Sequence, residues 1–529
     1  MDISAEALSK TNFSTIDWVI VICYPMISVV IGLMVRKYIK SMKDFVTAGQ
    51  SLGTALGVAT LTGTELGLIT VMYSAQKGFT GGFAAFHIAL VAGVVTFFVG
   101  ATGFLVYRLR AMQVLTIPEF YGRRFGRKTQ ILGGLMMAFG GILNMGLFLK
   151  VGSMFLVGIT GLTDQNLPIP EAWGLPAIPA LQAIMVFLLT LVLIYTCLGG
   201  MISVVLADYV QFVVLSFGLL LTTVLAMYKL GWAHIFSSVQ EIMGPEGFDP
   251  TIAEGGFGVE YIVWMGFVGL IGCAVWPTSV ARALAAESPA TVKKQFMFAS
   301  ISYLIRFLIP YFWGICALVF IMGMDPQLKA QFFPAAGGAD PVDNLYAMPL
   351  FLGRILPPVV IGIISAGMIA AFMSTHDSYL LCWSSVLTQD VIAPLFGERL
   401  SGKTRILLTR VFIVLIGLYV LYWGLLYEGK EDVWDYMAVT GAIYFTGAFA
   451  LLGGGLYWKR ASSTGAVLAI LAGSSAVLGL SPVQEFFGVD IPTARVGLCS
   501  IGGTLLVMVV GSLLFPDKKR DLSNAPEIT

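Results

Sequence analysis

Ala371, Ser374, Thr375 and Ser378 stand at i, i+3, i+4 and i+7 in an apolar, small-residue run that begins at Gly362 and resumes at Tyr379. On a helix they share one face. That face offers oxygen atoms and little else, which suits a hard cation such as Na⁺ and does not suit a soft transition metal. Polar groups at membrane depth are costly and turn toward a cavity or a partner. A plainer reading also exists: hydroxyls in membrane helices often bond back to their own helix or join neighbouring helices. Ser374, His376 and Asp377 are too close in sequence to form a hydrolytic triad from one helix, so no enzymatic chemistry is expected.

A second polar position is Glu65, in Thr60-Leu61-Thr62-Gly63-Thr64-Glu65-Leu66-Gly67. Glycine weakens a helix by about 1 kcal/mol relative to alanine. Two glycines beside an acid predict an unwound segment, which a membrane tolerates only where it lines a cavity. Freed carbonyls there can coordinate a cation, and half-helix ends can orient a solute. Otherwise Glu65 is a protonated acid bonded to a neighbouring helix. A second interruption is expected at Trp276-Pro277, because proline removes a backbone donor and frees a carbonyl one turn back. Two broken spans about five spans apart point to an inverted-repeat transporter with a midplane site. Arg306 lies deep enough to require an anion or a water cavity. Asp208 lies just past the expected inner end of its span. Lys150 is expected to snorkel to an interface. His87 is either a solute contact or a hydrogen-bonded core histidine.

These residues must be carried by membrane helices. Of the 529 residues, 57% are hydrophobic and 12% charged, and the mean hydropathy is +0.87. That composition predicts an all-α polytopic membrane protein, since the apolar runs lack the alternation of barrel strands. The first apolar run, 18–35, is too long for a signal-peptide core, and its positive charges follow it (Arg36, Lys37, Lys40, Lys43). Further spans are expected near 52–73, 80–106, 130–160, 178–198, 203–228, 259–280, 297–323, 345–388, 404–424, 433–457, 463–480 and 494–515, about thirteen in all. The segment 345–388 is too long for one span and should begin with a surface helix or loop. Alternating spans place 36–43, 107–129, 282–294, 399–410, 459–460 and 517–520 on one side, with about 22 of the 31 Lys and Arg. The positive-inside rule then puts the N-terminus outside and the C-terminus in the cytoplasm. A net charge of +1 implies no nucleic-acid partner. The six cysteines lie in apolar runs without metal spacing and read as packing residues.

Several motifs resemble the solute:sodium symporter family along nearly the whole chain. They are Leu115-Thr116-Ile117-Pro118-Glu119-Phe120-Tyr121-Gly122-Arg123-Arg124-Phe125-Gly126, Tyr195-Thr196-Cys197-Leu198-Gly199-Gly200-Met201 through Ala207-Asp208-Tyr209-Val210-Gln211, Arg282-Ala283-Leu284-Ala285-Ala286-Glu287-Ser288, Met373-Ser374-Thr375, and Leu456-Tyr457-Trp458-Lys459-Arg460 with Gly465-Ala466. The resemblance implies a LeuT-like fold of two inverted five-helix repeats. The expected segments are an outer N-terminal stretch (1–17), an extra helix (18–43), the repeats (44–258 and 259–460), two extra helices (461–515) and a cytoplasmic tail (516–529). It also implies a main Na⁺ site made by the carbonyls of Gly63, Leu66 and Ala371 and the hydroxyls of Ser374 and Thr375. Some members hold a second Na⁺, which maps to Asp208, Ser374 and Ser378. Asp377 adjoins that set where the family usually has a small or apolar residue. The solute pocket is expected beside Glu65, with His87, Trp276 and Arg306. Glu65 falls where sugar transporters have a neutral amide and proline transporters an acid, and Ala89 falls where sugar transporters have a glutamate. The expectation is therefore Na⁺-coupled import of an amino acid or other small charged organic solute, with no organic cofactor. A sugar symporter, a transporter-fold sensor and an uncoupled facilitator are the alternatives.

Overall fold

The computed structural model describes residues 3–35, 47–163, 165–167, 177–252, 256–335, 340–396, 400–427 and 432–517. The basic cluster at 36–43, the acids Glu254, Glu428 and Glu431, and the tail from 518 lie outside them. The principal helices are α1 (Thr15–Val35), α2 (Thr54–Glu65), α3 (Leu68–Gly81), α4 (Phe86–Thr102), α5 (Ile117–Phe125), α6 (Arg127–Asn144), α7 (Phe148–Thr160), α8 (Ala180–Leu230), α9 (Val259–Val275), α10 (Pro277–Ala285), α11 (Pro289–Gly323), α12 (Val360–Val386), α13 (Gly402–Leu426), α14 (Val433–Tyr457), α15 (Ser463–Gly473) and α16 (Thr493–Leu514). One short antiparallel ladder pairs Asn166–Leu167 with Ile178–Pro179.

Among the described residues nine helical segments are long and apolar enough to cross a membrane, or ten if the bent pair Ser463–Gly479 and Ser481–Phe487 is one span. Burial sorts them into centre and rim. The most apolar stretch within Val360–Phe396, which begins with α12, is 89% buried inside the protein, whereas that of α13 is 28% buried. Leu407, Leu415, Leu418 and Tyr422 on α13 are exposed, as expected of a surface whose solvent is lipid.

Three features differ from the expectations. The spans expected at 178–198 and 203–228 are one continuous helix, α8, of 51 residues. The gap at 199–202 between those two expected spans is helical, and the helix continues through Gly199 and Gly200. The segment expected to open 345–388 at the surface holds a helix, Ala347–Ile355, most of whose residues are buried. The inner loop expected at 282–294 is largely helical, because α10 runs to Ala285 and α11 starts at Pro289. Arg282 is consequently a core residue, 1% exposed.

Local chemistry fixes the central helix. Val359, at φ 73°, precedes α12, and its N–H and that of Gly362 both donate to Asp17 Oδ1 (2.8 and 2.9 Å). Asp17 is fully buried and its Oδ2 accepts from the Ser14 N–H and hydroxyl (2.8 and 2.6 Å). A carboxylate at a helix N-terminus satisfies orphan donors and complements the helix dipole. The first turn of α1 thus anchors the start of the helix that carries the oxygen-lined face.

Candidate functional site

The first broken span parts at Leu66–Gly67. α2 ends at Glu65, Leu66 has φ −93° and ψ 60°, and Gly67 is extended as α3 begins. The break is shorter than the Gly63–Gly67 stretch that the glycines suggest. Its glycine is needed for a close approach: a Cβ on Gly67 would lie 2.1 Å from Thr375 Oγ1. A Cβ on Gly63 would lie 3.3 Å from Asp208 Cβ. The break therefore closes directly on α12 and α8. The second broken span parts at Trp276, which is extended (φ −60°, ψ 125°), and Pro277 starts α10. Proline suits the first position of a helix because no N–H is needed there.

α12 is helical throughout, so Ala371, Ser374, Thr375 and Ser378 lie on one face, all buried. Thr375 Oγ1 donates to the Thr64 carbonyl (3.2 Å), and the Ser374 hydroxyl donates to Asp208 Oδ1. With their protons directed at protein oxygens, both hydroxyls keep acceptor lone pairs. The break at Leu66–Gly67 faces them through the Gly67–Thr375 contact, and Gly63 lies in the last turn of α2 just before it. The donor set is oxygen only, which fits a hard cation. No cluster of three or more His, Cys, Asp or Glu able to hold a transition metal occurs among the described residues.

The second proposed cation set is already part of an ion-pair network. Asp208 Oδ2 accepts from Thr60 (2.6 Å), Thr64 (3.2 Å) and Arg282 Nη2 (3.4 Å). The same Arg282 nitrogen donates to Ser378 Oγ (2.7 Å), and Ser378 Oγ donates to Asp377 Oδ1 (3.1 Å). A tethered guanidinium stands between Asp208 and Ser378, so a mobile cation would have to share these oxygens with it. Sequence reading put Arg282 in a loop and missed this role. His376 turns away from the set: its Nδ1 pairs with the Phe372 carbonyl (3.0 Å) and its ring packs on Phe372 and Phe148.

Beside the break lies a cavity of about 150 Å³, lined by Glu65, Tyr73, Asn144, Trp276, Arg306, Tyr379 and Trp434 among others. Three of the four solute residues expected from sequence meet there. Glu65 Oε1 accepts from Thr278 (2.9 Å) and Ser279 (2.7 Å), and Glu65 Oε2 pairs with Arg306 Nη1 (3.2 Å). Arg306 Nη1 also donates to the Glu65 carbonyl at the break (2.9 Å). The Glu65 and Arg306 charges neutralise each other in this conformation. The Trp276 indole donates to Tyr379 Oη (2.9 Å), which fixes an aromatic wall. The fourth, His87, does not line the cavity. Its Nδ1 pairs with the Ala84 carbonyl (2.7 Å) and its ring meets Phe257 and Tyr261 edge-on. Lys150 is also elsewhere, with Nζ on the Tyr427 carbonyl (3.0 Å).

Asn144 is a cavity residue that sequence reading passed over. Its Nδ2 donates to the Met437 carbonyl (2.8 Å) and to Thr440 Oγ1 (2.9 Å). Only an NH₂ can bond a carbonyl, so the amide orientation is fixed and Oδ1, without a protein partner among the described residues, is an acceptor. A polar amide in the middle of the apolar run 130–160 is the one signal it carries in sequence.

Comparison with known proteins agrees with this geometry. The profile of the sodium:solute symporter family matches residues 45–473. The chain is 24% identical to the sodium/glucose cotransporter of Vibrio parahaemolyticus, over 95% of this chain and 91% of that one. It is 24% identical to the high-affinity proline transporter PutP of Bacillus subtilis, over 89% and 94%. It is 23% identical to the sodium/sialic acid symporter NanT of Aliivibrio fischeri, over 98% and 97%. Among solved structures, a substrate-bound, outward-open Na⁺-coupled sialic acid symporter superposes with a TM-score of 0.77 at 18% identity, covering 96% of this chain and all of that one. That likeness shows a shared fold, of the LeuT-like kind. Two broken spans, an oxygen-lined helix closing on the first of them and a match over most of the chain lead to one conclusion: the chain belongs to the sodium:solute symporter family, multi-pass secondary transporters rather than enzymes.

Proposed function

We propose that the chain imports a small zwitterionic or otherwise charged organic solute, an amino acid being the leading class, driven by Na⁺ bound between Gly63–Leu66 and Ala371–Thr375. The observation that carries this reading is the Glu65–Arg306 pair beside the break: a zwitterion can exchange partners with both charges without leaving either unpaired. Na⁺ draws the break against α12 and sets the Glu65 carbonyl, and with it Arg306, at the cavity edge. Ion and solute then favour each other reciprocally. Alternating access follows from rocking of one helix group against another. The N-terminus faces outward and the C-terminus the cytoplasm, as the basic loops indicate. Relatives named for glucose and sialic acid occur beside those named for proline. The acid at Glu65 and the small, fully buried Ala89 support the amino-acid reading over the sugar one.

One charge crossing 100 mV is worth about 2.3 kcal/mol, and a tenfold Na⁺ gradient adds about 1.4 kcal/mol. One Na⁺ thus supports roughly 500-fold solute accumulation. The test is a thermal-shift screen of purified protein against amino acids, organic acids, quaternary amines and sugars, each in NaCl and in KCl. An amino acid that stabilises only in NaCl supports the proposal. A sugar doing so would replace the solute assignment, and equal stabilisation in both salts would favour an uncoupled facilitator.

A further inference from the structure

One buried ion cluster lies outside the Na⁺ and solute sites. Lys77, on α3 and 7% exposed, places Nζ 2.7 Å from Asp432 Oδ2 and 3.0 Å from Asp435 Oδ2, at the start of α14. Tyr261 of α9 donates to Asp435 Oδ1 (3.3 Å). One residue before Lys77, Gln76 accepts from the Val433 N–H (3.1 Å) and donates to Asn344 Oδ1 (2.6 Å). The cluster sits between two spaces. The solute cavity is lined by Tyr73 and Trp434, whereas a larger cavity of about 760 Å³ is lined by Gln76, Asn344, Asp432 and Val433. Along both α3 and α14 the wall passes from one space to the other within about one helical turn, at the ion cluster.

The helices joined by the cluster belong to different packing groups. α3 is seated on α11 backbone to backbone: a Cβ on Gly78 would lie 2.0 Å from the Tyr311 carbonyl oxygen, and one on Gly314 would lie 1.9 Å from that of Ala75. The contacts of Lys77 and Gln76 with α14 are polar instead. Polar contacts can be broken and remade when water enters the seam, whereas interlocked backbones cannot part cheaply. Gly67, the residue before α3, lies against Thr375. The two ends of α3 therefore touch the Na⁺ face and the ion cluster.

We propose that Lys77, Asp432 and Asp435 form a latch that separates the solute cavity from the larger cavity, and that it must open for solute to pass between them. Placing the larger cavity on the outer side rests on the transport reading given above. Lys77 is a positioning residue: it holds α3 to α14 and touches neither Na⁺ nor solute. Without its charge the two carboxylates at the start of α14 lose the cation that ties them to α3, they draw water into the seam to solvate their charge, and the seam opens.

Cys273 lines the solute cavity and serves as a native reporter. The experiment uses the full chain in oriented proteoliposomes, with Cys23, Cys197, Cys316, Cys382 and Cys499 replaced and Cys273 kept. Membrane-impermeant methanethiosulfonates, one cationic and one anionic, are applied to each face separately, with no solute needed. Lys77→Met is expected to speed labelling of Cys273 at least tenfold for both reagents from the outer face. Lys77→Arg and the charge-exchanged pair Lys77→Asp with Asp435→Lys are expected to restore the slow rate. Unchanged labelling in a variant that elutes as the parent does would overturn the latch. Acceleration of the cationic reagent alone would also overturn it, since that reports a changed field rather than access. Acceleration from the opposite face only would uphold the latch and overturn the proposed orientation. Should Lys77→Met not fold, Asp435→Asn is read in the same way.

Discussion

Replacing Gly67 by alanine tests the contact on which the proposed Na⁺ site depends. The added Cβ would lie 2.1 Å from Thr375 Oγ1, 3.0 Å from its Cβ and 3.2 Å from its Cγ2. Ordinary contact begins near 3.4 Å, so α3 and α12 must part by about 1.3 Å along that direction. Thr375 has only one alternative rotamer open to it on a helix. A turn to it would break its bond to the Thr64 carbonyl. Overpacking of this kind costs about 1–3 kcal/mol. If the cost falls on the state that holds Na⁺, affinity drops by about 5- to 150-fold. The assay is a Na⁺ titration of thermal stability at constant ionic strength, with choline replacing Na⁺. Thr375→Ala removes Oγ1, the nearest obstructing atom and a proposed ligand, together with Cγ2, and leaves only Cβ at 3.0 Å, so Gly67→Ala should weaken Na⁺ much less in that background, and the two effects should be non-additive. An unchanged half-saturating Na⁺ concentration in Gly67→Ala, or simple additivity, would refute the closure of the break on α12 as the Na⁺ determinant.

Ser374→Ala should abolish Na⁺-driven uptake into proteoliposomes while leaving the protein monodisperse; retained Na⁺ dependence would remove Ser374 from the ligand set. With Arg282 occupying the Asp208–Ser378 position, Na⁺ titrations should give a Hill coefficient of about 1, and a value approaching 2 would show that a second ion shares those oxygens. Arg306→Gln strands the Glu65 carboxylate and should lower stability by about 3 kcal/mol, the low end of the range for a broken buried pair because both side chains keep some solvent access. Adding Glu65→Gln should return part of that loss in chemical denaturation, and its failure to do so would mean the two charges do not stabilise each other. Asp17→Ala leaves the Val359 and Gly362 N–H groups without their acceptor and should cost about 2–5 kcal/mol; an unchanged unfolding midpoint would show that other groups cap α12.

The parts of the site that follow from periodicity or from a single residue's backbone chemistry were readable in advance. The shared face of Ala371, Ser374, Thr375 and Ser378 needs only helical spacing, and Pro277 and Gly67 announce interruptions because proline lacks a donor and glycine lacks a Cβ. Pairings across distant sequence were not readable. Lys77 meets Asp435 across 358 positions, and nothing local in either stretch names the other. Arg282 looked like a loop charge because the alternation of expected spans places 282–294 between two of them. Its burial depends on Asp208, which arrives from α8. His87 had two readings in sequence. The Ala84 carbonyl and the Phe257 and Tyr261 rings surround it outside the cavity. Helix length was equally hidden at Gly199–Gly200, where a dipeptide that usually marks a turn in water lies within a continuous helix.

The bond between Asp17 and the start of α12 also sets an order of events during synthesis. Its two ends are separated by 345 positions. At about 5–20 residues per second, the ribosome needs roughly 20 to 70 seconds to deliver Gly362 after Asp17 has left it. Throughout that time the carboxylate has only Ser14 as a described partner. The first span must therefore wait at the insertion machinery, or drift beside it in the bilayer, with an anion in search of a helix that does not yet exist. Assembly of α12, the helix of the proposed Na⁺ site, is then a late, long-range step, and a chain stalled before residue 362 would be expected to attract chaperones or proteases through its open N-terminal end.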